Sequence, residues 1–320
     1  MYEVGFLTNR PVHPSMYADL ARIAARLDQR LVCGKRVLEI GAGTGHFARI
    51  LAQTARSVMV FEPSRGLTKE LVPESNITLV NSFFSPTLCE GPVDLIVCRQ
   101  VLEHLCDPVR MLRDMRQVLR PGGVIYLEVP RAEYVEDNLA LIEFHNAHVQ
   151  YFHEDSFSYL ALPAGLIVYE SWHVKQGHDM GFLLRPSDEV APLAAPVPGP
   201  EAVLGTALSE RRKAIESILH GLTGRGALYG ANWQGESFAW LFGNHASNID
   251  VVLDDNDDYV GYHLYTSQRA IPIRKPNKQV AAGLDFAIVT AHLHTQAIAE
   301  RLRAFDFRGD LREAVNLTSV

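Results

Sequence analysis

No stretch of this 320-residue sequence stays apolar for long enough to cross a bilayer, since a spanning helix needs about 20 consecutive apolar residues. The start, Met1-Tyr2-Glu3-Val4-Gly5, lacks the basic residues and apolar block of a secretory leader. No membrane partner is expected, and the chain reads as cytoplasmic. Positive charge is scarce as well: 30 Lys and Arg stand against 37 Asp and Glu, a net charge of −7, which disfavours a nucleic-acid groove. The four cysteines, Cys33, Cys89, Cys98 and Cys106, form no C-x-x-C pair. Neither a zinc knuckle nor a disulfide framework is indicated, and reduced thiols are expected. What the chain does have is apolar bulk, 47% of its residues, enough at this length for two cores of ordinary size.

The rest is organised around Val37 to Phe47, Val-Leu-Glu-Ile-Gly-Ala-Gly-Thr-Gly-His-Phe. An apolar run stops at Glu39-Ile40, glycines follow at Gly41, Gly43 and Gly45, and helix-forming residues come next. The pattern predicts strand, tight turn and helix. Glycine permits positive φ and lets a ligand lie against the main chain with no Cβ in the way. The spacing is not the dinucleotide fingerprint G-x-G-x-x-G, because His46 stands where the third glycine would fall. Glu39 at the strand end would repel a pyrophosphate and attract an ammonium or sulfonium group. A strand-to-helix corner without a ligand is the plain alternative. A second strand, Ser57 to Phe61, ends in Glu62-Pro63-Ser64. That is about 20 residues after the glycines, where a doubly wound fold places an acid for ribose hydroxyls.

These residues resemble the first motif, acid-x-Gly-x-Gly-x-Gly, of the class I S-adenosylmethionine-dependent methyltransferases. The resemblance implies an α/β, Rossmann-like domain with S-adenosyl-L-methionine as cofactor, held by Glu39, Gly41, Ala42, Gly43, Glu62 and Pro63. It places the adenine on Ser82 and Phe83, after a third strand over Ile77 to Val80, and extends cofactor contact to Arg99 and Gln100. These two follow a fourth strand, Val93 to Cys98, whose carboxyl end faces the ligand crevice of a parallel sheet. Arg99 to Leu105 is expected to open the next helix, continued by Val109 to Leu119. Arg120-Pro121-Gly122-Gly123 then stops it and feeds a fifth strand, Val124 to Val129.

Past Leu139 histidines accumulate, at His145, His148 and His153. A helix from Glu154, a strand over Leu166 to Val168 and the stretch Lys175 to Phe182 follow. Five prolines between Pro186 and Pro200 mark a linker. A helix over Leu208 to Leu222, a strand at Ala227 to Tyr229, a turn through Gly230 to Gly235 and a helix over Glu236 to Phe242 come next. With strands at Ile249 to Asp255 and Asp285 to Thr290, they predict a second, smaller Rossmann-like unit. The expected organisation is a cofactor-binding methyltransferase domain over 1–185, a proline-rich linker over 186–204 and a substrate-binding domain over 205–320. An arm over 1–14, broken by Pro11 and Pro14, is expected to act as a lid.

His148-x-x-Tyr151-Phe152, Gly177-His178-Asp-Met-Gly181, Tyr229-Gly-Ala and Ile271-Pro-Ile resemble the deoxysugar C-methyltransferases, which append a Rossmann-like domain to hold a nucleotide-linked sugar. The resemblance assigns catalysis to His148 and His104 and substrate contact to His145, Tyr151, His178, Tyr229 and Asn232. The chain departs from that family in three ways: Ala147 replaces a Glu, Gln234 replaces the common Lys of the second glycine loop, and no cysteine-rich zinc module precedes Met16. Imidazole suits a base that removes a proton near neutrality; a packed or capping histidine is the plain alternative. His145, His148 and His153 give no i, i+4 pair, and no metal is expected. The expected activity is methyl transfer to a small polar acceptor, with a nucleotide-linked deoxysugar carbon as one candidate. O- or N-methylation of another small natural product is the alternative. A nicotinamide-dependent oxidoreductase and a non-catalytic S-adenosylmethionine-binding protein are the rivals from other classes. Oligomeric state is not fixed by these patterns.

Overall fold

The computed structural model describes residues 14–64, 75–144, 147–187 and 201–320. Two compact units emerge: unit 1 is Met1–Ala132 with Ala147–Val197, and unit 2 is Glu133–Asn146 with Pro198–Val320. The arm over 1–13, His145 and residues 188–200 of the expected linker lie outside the described residues.

Unit 1 runs α1 (Pro14–Leu31), β1 (Arg36–Ile40), α2 (His46–Ala52), β2 (Ser57–Phe61), β3 (Ile77–Val80), β4 (Val93–Arg99), α3 (Pro108–Val118) and β5 (Leu119–Pro130). After α4 (Ala132–Asn138), which apart from its first residue belongs to unit 2, it resumes with α5 (Phe157–Ala161), β6 (Leu166–Val174) and β7 (Asp179–Pro186). The seven strands lie in the order β3-β2-β1-β4-β5-β7-β6. β1 to β5 are mutually parallel, and β7 runs antiparallel between β5 and β6. This is the doubly wound α/β sheet that the sequence pattern predicts.

Both faces of the sheet are covered, which is why its strands read as near-continuous apolar runs. Leu38, Ile40, Ile96 and Cys98 pack on one face with Leu112 and Met115 of α3 and Phe157 of α5. Val37, Val58, Leu95 and Val97 pack on the other with Ile23 and Leu27 of α1 and Phe47 and Leu51 of α2. Each such fully buried aliphatic contributes about 1.5–3 kcal/mol. Two expectations shift here. Residues 99–105 open no α-helix; they make a left-handed step at Gln100, φ 54°, and a short 3₁₀ turn over Leu102–His104. α3 starts only at Pro108, whose ring suits the first helical turn, while the Asp107 side chain accepts from the Arg110 amide at 3.0 Å. The helix expected from Glu154 begins at Phe157 and is five residues long.

Unit 2 contains α6 (Glu201–Gly221), β8 (Gly226–Tyr229), α7 (Trp233–Phe242), β9 (Ile249–Leu253), β10 (His263–Tyr265), β11 (Ala270–Arg274), α8 (Lys278–Ala281), β12 (Phe286–Val289), α9 (Thr295–Ala304) and β13 (Asp310–Glu313). α6 starts inside the stretch read as linker. The sheet order is β10-β11-β9-β8-β12-β13, parallel except for β10. Leu228, Val252 and Ile288 pack with Phe238 and Phe242 of α7 and Ile215 and Leu219 of α6. Ala227, Val251 and Val289 pack on the opposite face with Ile298 and Leu302 of α9. The second Rossmann-like unit is therefore present.

Candidate active site

Strand register brings the glycine turn, the acid after β2 and the segment after β4 to one edge of the unit 1 sheet. Ile40 pairs with Phe61 on one side and Cys98 on the other, so Gly41, Glu62 and Arg99 all emerge at the same level. Gly41, Gly43 and Gly45 have φ of 75°, 56° and 75°, a left-handed conformation costly for any residue with a Cβ. A Cβ on Gly41 would also stand 2.4 Å from Val101 Cγ2. Sterics therefore explain the first glycine, and backbone conformation all three.

Glu62 is the brace of this turn. Its Oε2 accepts from the Gly43 amide at 2.8 Å and its Oε1 from the Ser64 amide at 2.9 Å. Burial raises its pKa, and the two amides oppose that rise. Each oxygen keeps a second lone pair for a hydroxyl donor. Glu39, 3% exposed on β1, has an Oε2 with no hydrogen-bond partner. Burial pushes its carboxyl up to about 7, with Arg99 pulling down and Glu62 pushing up. An unpartnered buried carboxylate beside a glycine turn fits a cationic ligand, and the Glu62 brace fits a ribose diol; together they fit S-adenosylmethionine. Ala42 and Pro63 flank the turn and are half-buried. Ser82 is half-buried and Phe83 is 58% exposed. The neighbouring Phe84 packs edge-on against Phe61, ring centroids 5.3 Å apart, so the outward ring is the one the sequence assigned to adenine.

Arg99 and Gln100 are largely committed to the protein. Arg99 donates to both Glu128 oxygens, at 2.8 and 3.0 Å, and stacks 4.7 Å over the Phe47 ring. Gln100 donates to Asp179 Oδ2 at 2.9 Å. Lys175 pairs with Asp179 and, at 3.2 Å, with Glu128; His178 Nδ1 meets Asp179 Oδ1 at 2.5 Å. Two cations thus neutralise two fully buried acids, and Lys175 with His178 holds Asp179 well below the usual carboxylate range. Tyr126 closes the group by donating to Glu128 at 3.0 Å. None of Glu128, Lys175 and Asp179 was singled out from the sequence.

The proposed catalytic histidines meet at the end of β4. The Glu103 carbonyl accepts from the amides of Val149 and Gln150 at 2.9 and 3.1 Å, and His104 Nδ1 lies 2.8 Å from the Ala147 carbonyl. These contacts, worth about 1 kcal/mol each, clamp residues 147–150 onto the 3₁₀ turn. They bring the His104 and His148 rings to 5.0 Å, with Tyr151, 37% exposed, at 6.1 Å from His148. Between them sits a residue the sequence left without a role. Glu103 is 1% exposed, neither carboxyl oxygen has a hydrogen-bond partner in another residue, and burial pushes its pKa up to about 8. One oxygen of Glu103 and one ring nitrogen each of His104 and His148 lie within 4.8 Å of one another. An acid next to a histidine immediately after a central strand was the available signal.

In unit 2, Tyr229 and Asn232 have structural partners. The Tyr229 hydroxyl donates to Asp255 at 2.7 Å, and the Asn232 side chain caps α7 by accepting from the Gly235 amide at 3.2 Å. Gln234 donates to Glu143 at 2.8 Å and lies 3.1 Å from His292 Nδ1, inside the unit.

Residues 13–171 match the family described as a methyltransferase domain. Among curated proteins the chain is similar to the ubiquinone biosynthesis O-methyltransferase of Xanthomonas oryzae pv. oryzae, 26% identical over 127 residues, 37% of this chain and 51% of that protein. The Escherichia coli O157:H7 protein of the same name is 31% identical over the same coverage. A Mycolicibacterium smegmatis protein described as a probable S-adenosylmethionine-dependent methyltransferase is 34% identical over 100 residues, 30% of this chain and 38% of its own length. The chain spans about half the length, or less, of these curated relatives. A solved S-adenosylmethionine-dependent methyltransferase from Clostridium acetobutylicum aligns with 53% of this chain and 92% of its own, at TM-score 0.46 and 11% identity. Among the described residues no helix is long and apolar enough to cross a membrane.

Proposed function

We propose that the chain is an S-adenosylmethionine-dependent methyltransferase acting on a small polar acceptor with an ionisable hydroxyl. The observation that carries this is the glycine turn braced by Glu62, with the unpartnered Glu39 carboxyl behind it. When bound, S-adenosylmethionine supplies a methyl group already activated by its sulfonium. Glu62 and the turn would hold the ribose, Phe83 would cover the adenine, and Glu39 would offset positive charge. The Arg99–Glu128–Lys175–Asp179 group keeps the floor of the crevice rigid and electrically balanced. His148 would take the acceptor's proton, with His104 beside it. The His104 Nδ1–H, donated to the Ala147 carbonyl, leaves its lone pair on Nε2. Relatives named as O-methyltransferases favour an oxygen acceptor.

A second reading, methylation of a carbon beside a ketone on a nucleotide-linked deoxysugar, draws on the Rossmann-like sheet of unit 2. It needs the same proton removal. Labelled S-adenosylmethionine offered with catechols, phenols and nucleotide-linked ketosugars, followed by mass spectrometry, tests both readings. Methyl transfer to oxygen supports the first, transfer to a sugar carbon the second. Absence of S-adenosylhomocysteine binding by folded protein would reject both. Near-native turnover by both His148→Ala and His148→Gln would remove His148 from the base role.

A further inference from the structure

We propose that Glu103, His104 and His148 form a binding site for a divalent transition cation, of which Zn²⁺ is the type, at the acceptor end of the crevice. The three side chains supply one carboxylate oxygen and two imidazole nitrogens within 4.8 Å of one another. This is a donor set of two histidines and one carboxylate, which in three-ligand sites leaves a position open on the metal. A tetrahedral ion with bonds of about 2.0 Å holds its ligand atoms about 3.3 Å apart. Side-chain rotation closing at most about 1.5 Å therefore completes the set.

Two further observations point to a ligand. The Glu103 side chain is fully buried, and no other described residue hydrogen-bonds its carboxyl oxygens, a costly arrangement for a carboxylate unless something cationic compensates it. His104 Nδ1 is engaged at 2.8 Å by the Ala147 carbonyl. A backbone carbonyl on one ring nitrogen is how metal-binding imidazoles are oriented. The two amides that bond the Glu103 carbonyl hold His148 over the same spot. Sequence spacing weighed only His145, His148 and His153 as a metal set, gave no expectation of a metal, and so missed this one.

The cation's role rests on the methyltransferase reading; its binding does not. At the open position a divalent ion would lower the pKa of an acceptor hydroxyl, so that the O–H bond breaks with its electron pair kept by oxygen and the proton leaves to water. His148 then acts as a ligand in place of a free base. A cation also explains why an acid stands beside His104.

The test is titration of the full chain with Co²⁺ alone, followed by optical absorption, and with Zn²⁺ in competition. S-adenosylhomocysteine binding is measured in parallel. The expected result is one Co²⁺ per chain with visible ligand-field bands, displaced by Zn²⁺ and weakened at least tenfold in both Glu103→Gln and His148→Ala. S-adenosylhomocysteine affinity stays unchanged in both variants, which shows that they are folded. Because His148 is only half-buried, its variant serves as the second check if Glu103→Gln fails to fold. No visible bands, or bands equally strong in both variants, would overturn the site. Intact S-adenosylhomocysteine binding beside such a result would leave the methyltransferase reading standing; loss of that binding in the unaltered protein would strike the function and leave the metal result to stand alone.

Discussion

Units 1 and 2 build the same turn from different residues. In unit 1 the Gly41 amide donates to the Phe61 carbonyl at 2.8 Å, and Glu62 receives the amides of Gly43 and Ser64. In unit 2 the Gly230 amide donates to the Leu253 carbonyl at 2.8 Å, and Asp254 receives the amides of Ala231 and Asn256 at 2.6 and 2.8 Å. Glu62, longer by one methylene, reaches the second residue past its first glycine; Asp254 reaches the first. The units part company two residues before the glycine. Glu39 stands there in unit 1 and Leu228, in the core, in unit 2. After the neighbouring strand, the Thr290 hydroxyl of unit 2 donates back to the Gly230 carbonyl at 2.8 Å and closes the turn. The braced turn is therefore shared by both units, and the unpartnered buried acid is particular to unit 1.

The comparison breaks most severely at the glycines. Gly41→Ala adds a left-handed alanine, about 1–2 kcal/mol, and a collision with Val101, about 1–3 kcal/mol more. Calorimetry should show S-adenosylhomocysteine affinity reduced at least tenfold and a lower melting temperature. Gly230→Ala, at φ 114° with Thr290 Oγ1 2.6 Å from the new Cβ, should lower the melting temperature and leave that affinity intact. Equal loss of affinity in the two would end the functional distinction between the turns.

A milder cut falls on the braces. Glu62→Ala removes an acceptor of charge-assisted hydrogen bonds, worth about 1.5–3 kcal/mol, and should weaken S-adenosylhomocysteine binding about tenfold to a hundredfold. Asp254→Ala strands two amides in unit 2 and should cost about 1–3 kcal/mol of stability with no effect on that binding. A chemical-denaturation series run beside the titrations separates the outcomes.

The smallest effect concerns pH. Burial lifts Glu39 from 4.5 to about 7, so the folded chain holds more protons than the unfolded one between those values. Stability from this group is fullest below the lower value and declines as pH rises to the upper one. Between about pH 6 and pH 8 the native protein should lose about 1 kcal/mol relative to Glu39→Gln. Over the same rise its affinity for S-adenosylmethionine should increase, as the ionised carboxyl meets the cation. A stability difference flat across that range would mean that Glu39 is already ionised at the lower pH.

The glycine turn and its brace were legible because their residues sit close in sequence and follow strand periodicity: Glu39 to Gly45 and Glu62 are fixed by one strand-turn-helix-strand passage. Periodicity does not distinguish Phe83 from Phe84, adjacent aromatics after one strand; the resemblance chose Phe83, and packing turns Phe84 inward against Phe61. The acceptor side was less legible because its partners are distant. Gln100 reaches Asp179, 79 residues away, and His104 reaches Ala147, 43 residues away. The first depends on β7 entering antiparallel beside β5, where Asp179 pairs with Pro130, and periodicity gives no hint of that insertion. Strand β6, extending to Val174 instead of Val168, follows from the same pairing. Gln234, which stands where the resembling family commonly has a lysine, is buried against Glu143, a residue that spacing alone would leave in the first domain.

That reversed strand means the chain returns to the carboxyl end of β5 from the opposite direction, carrying Lys175 and Asp179 at the tip of a hairpin, whereas the glycine turn and its Glu62 brace are complete within the first two strands. The glycine turn and this hairpin therefore come from separate stretches of sequence. Grafting a different 147–179 loop onto the same cradle would be expected to change which molecule is methylated and leave the donor's grip untouched.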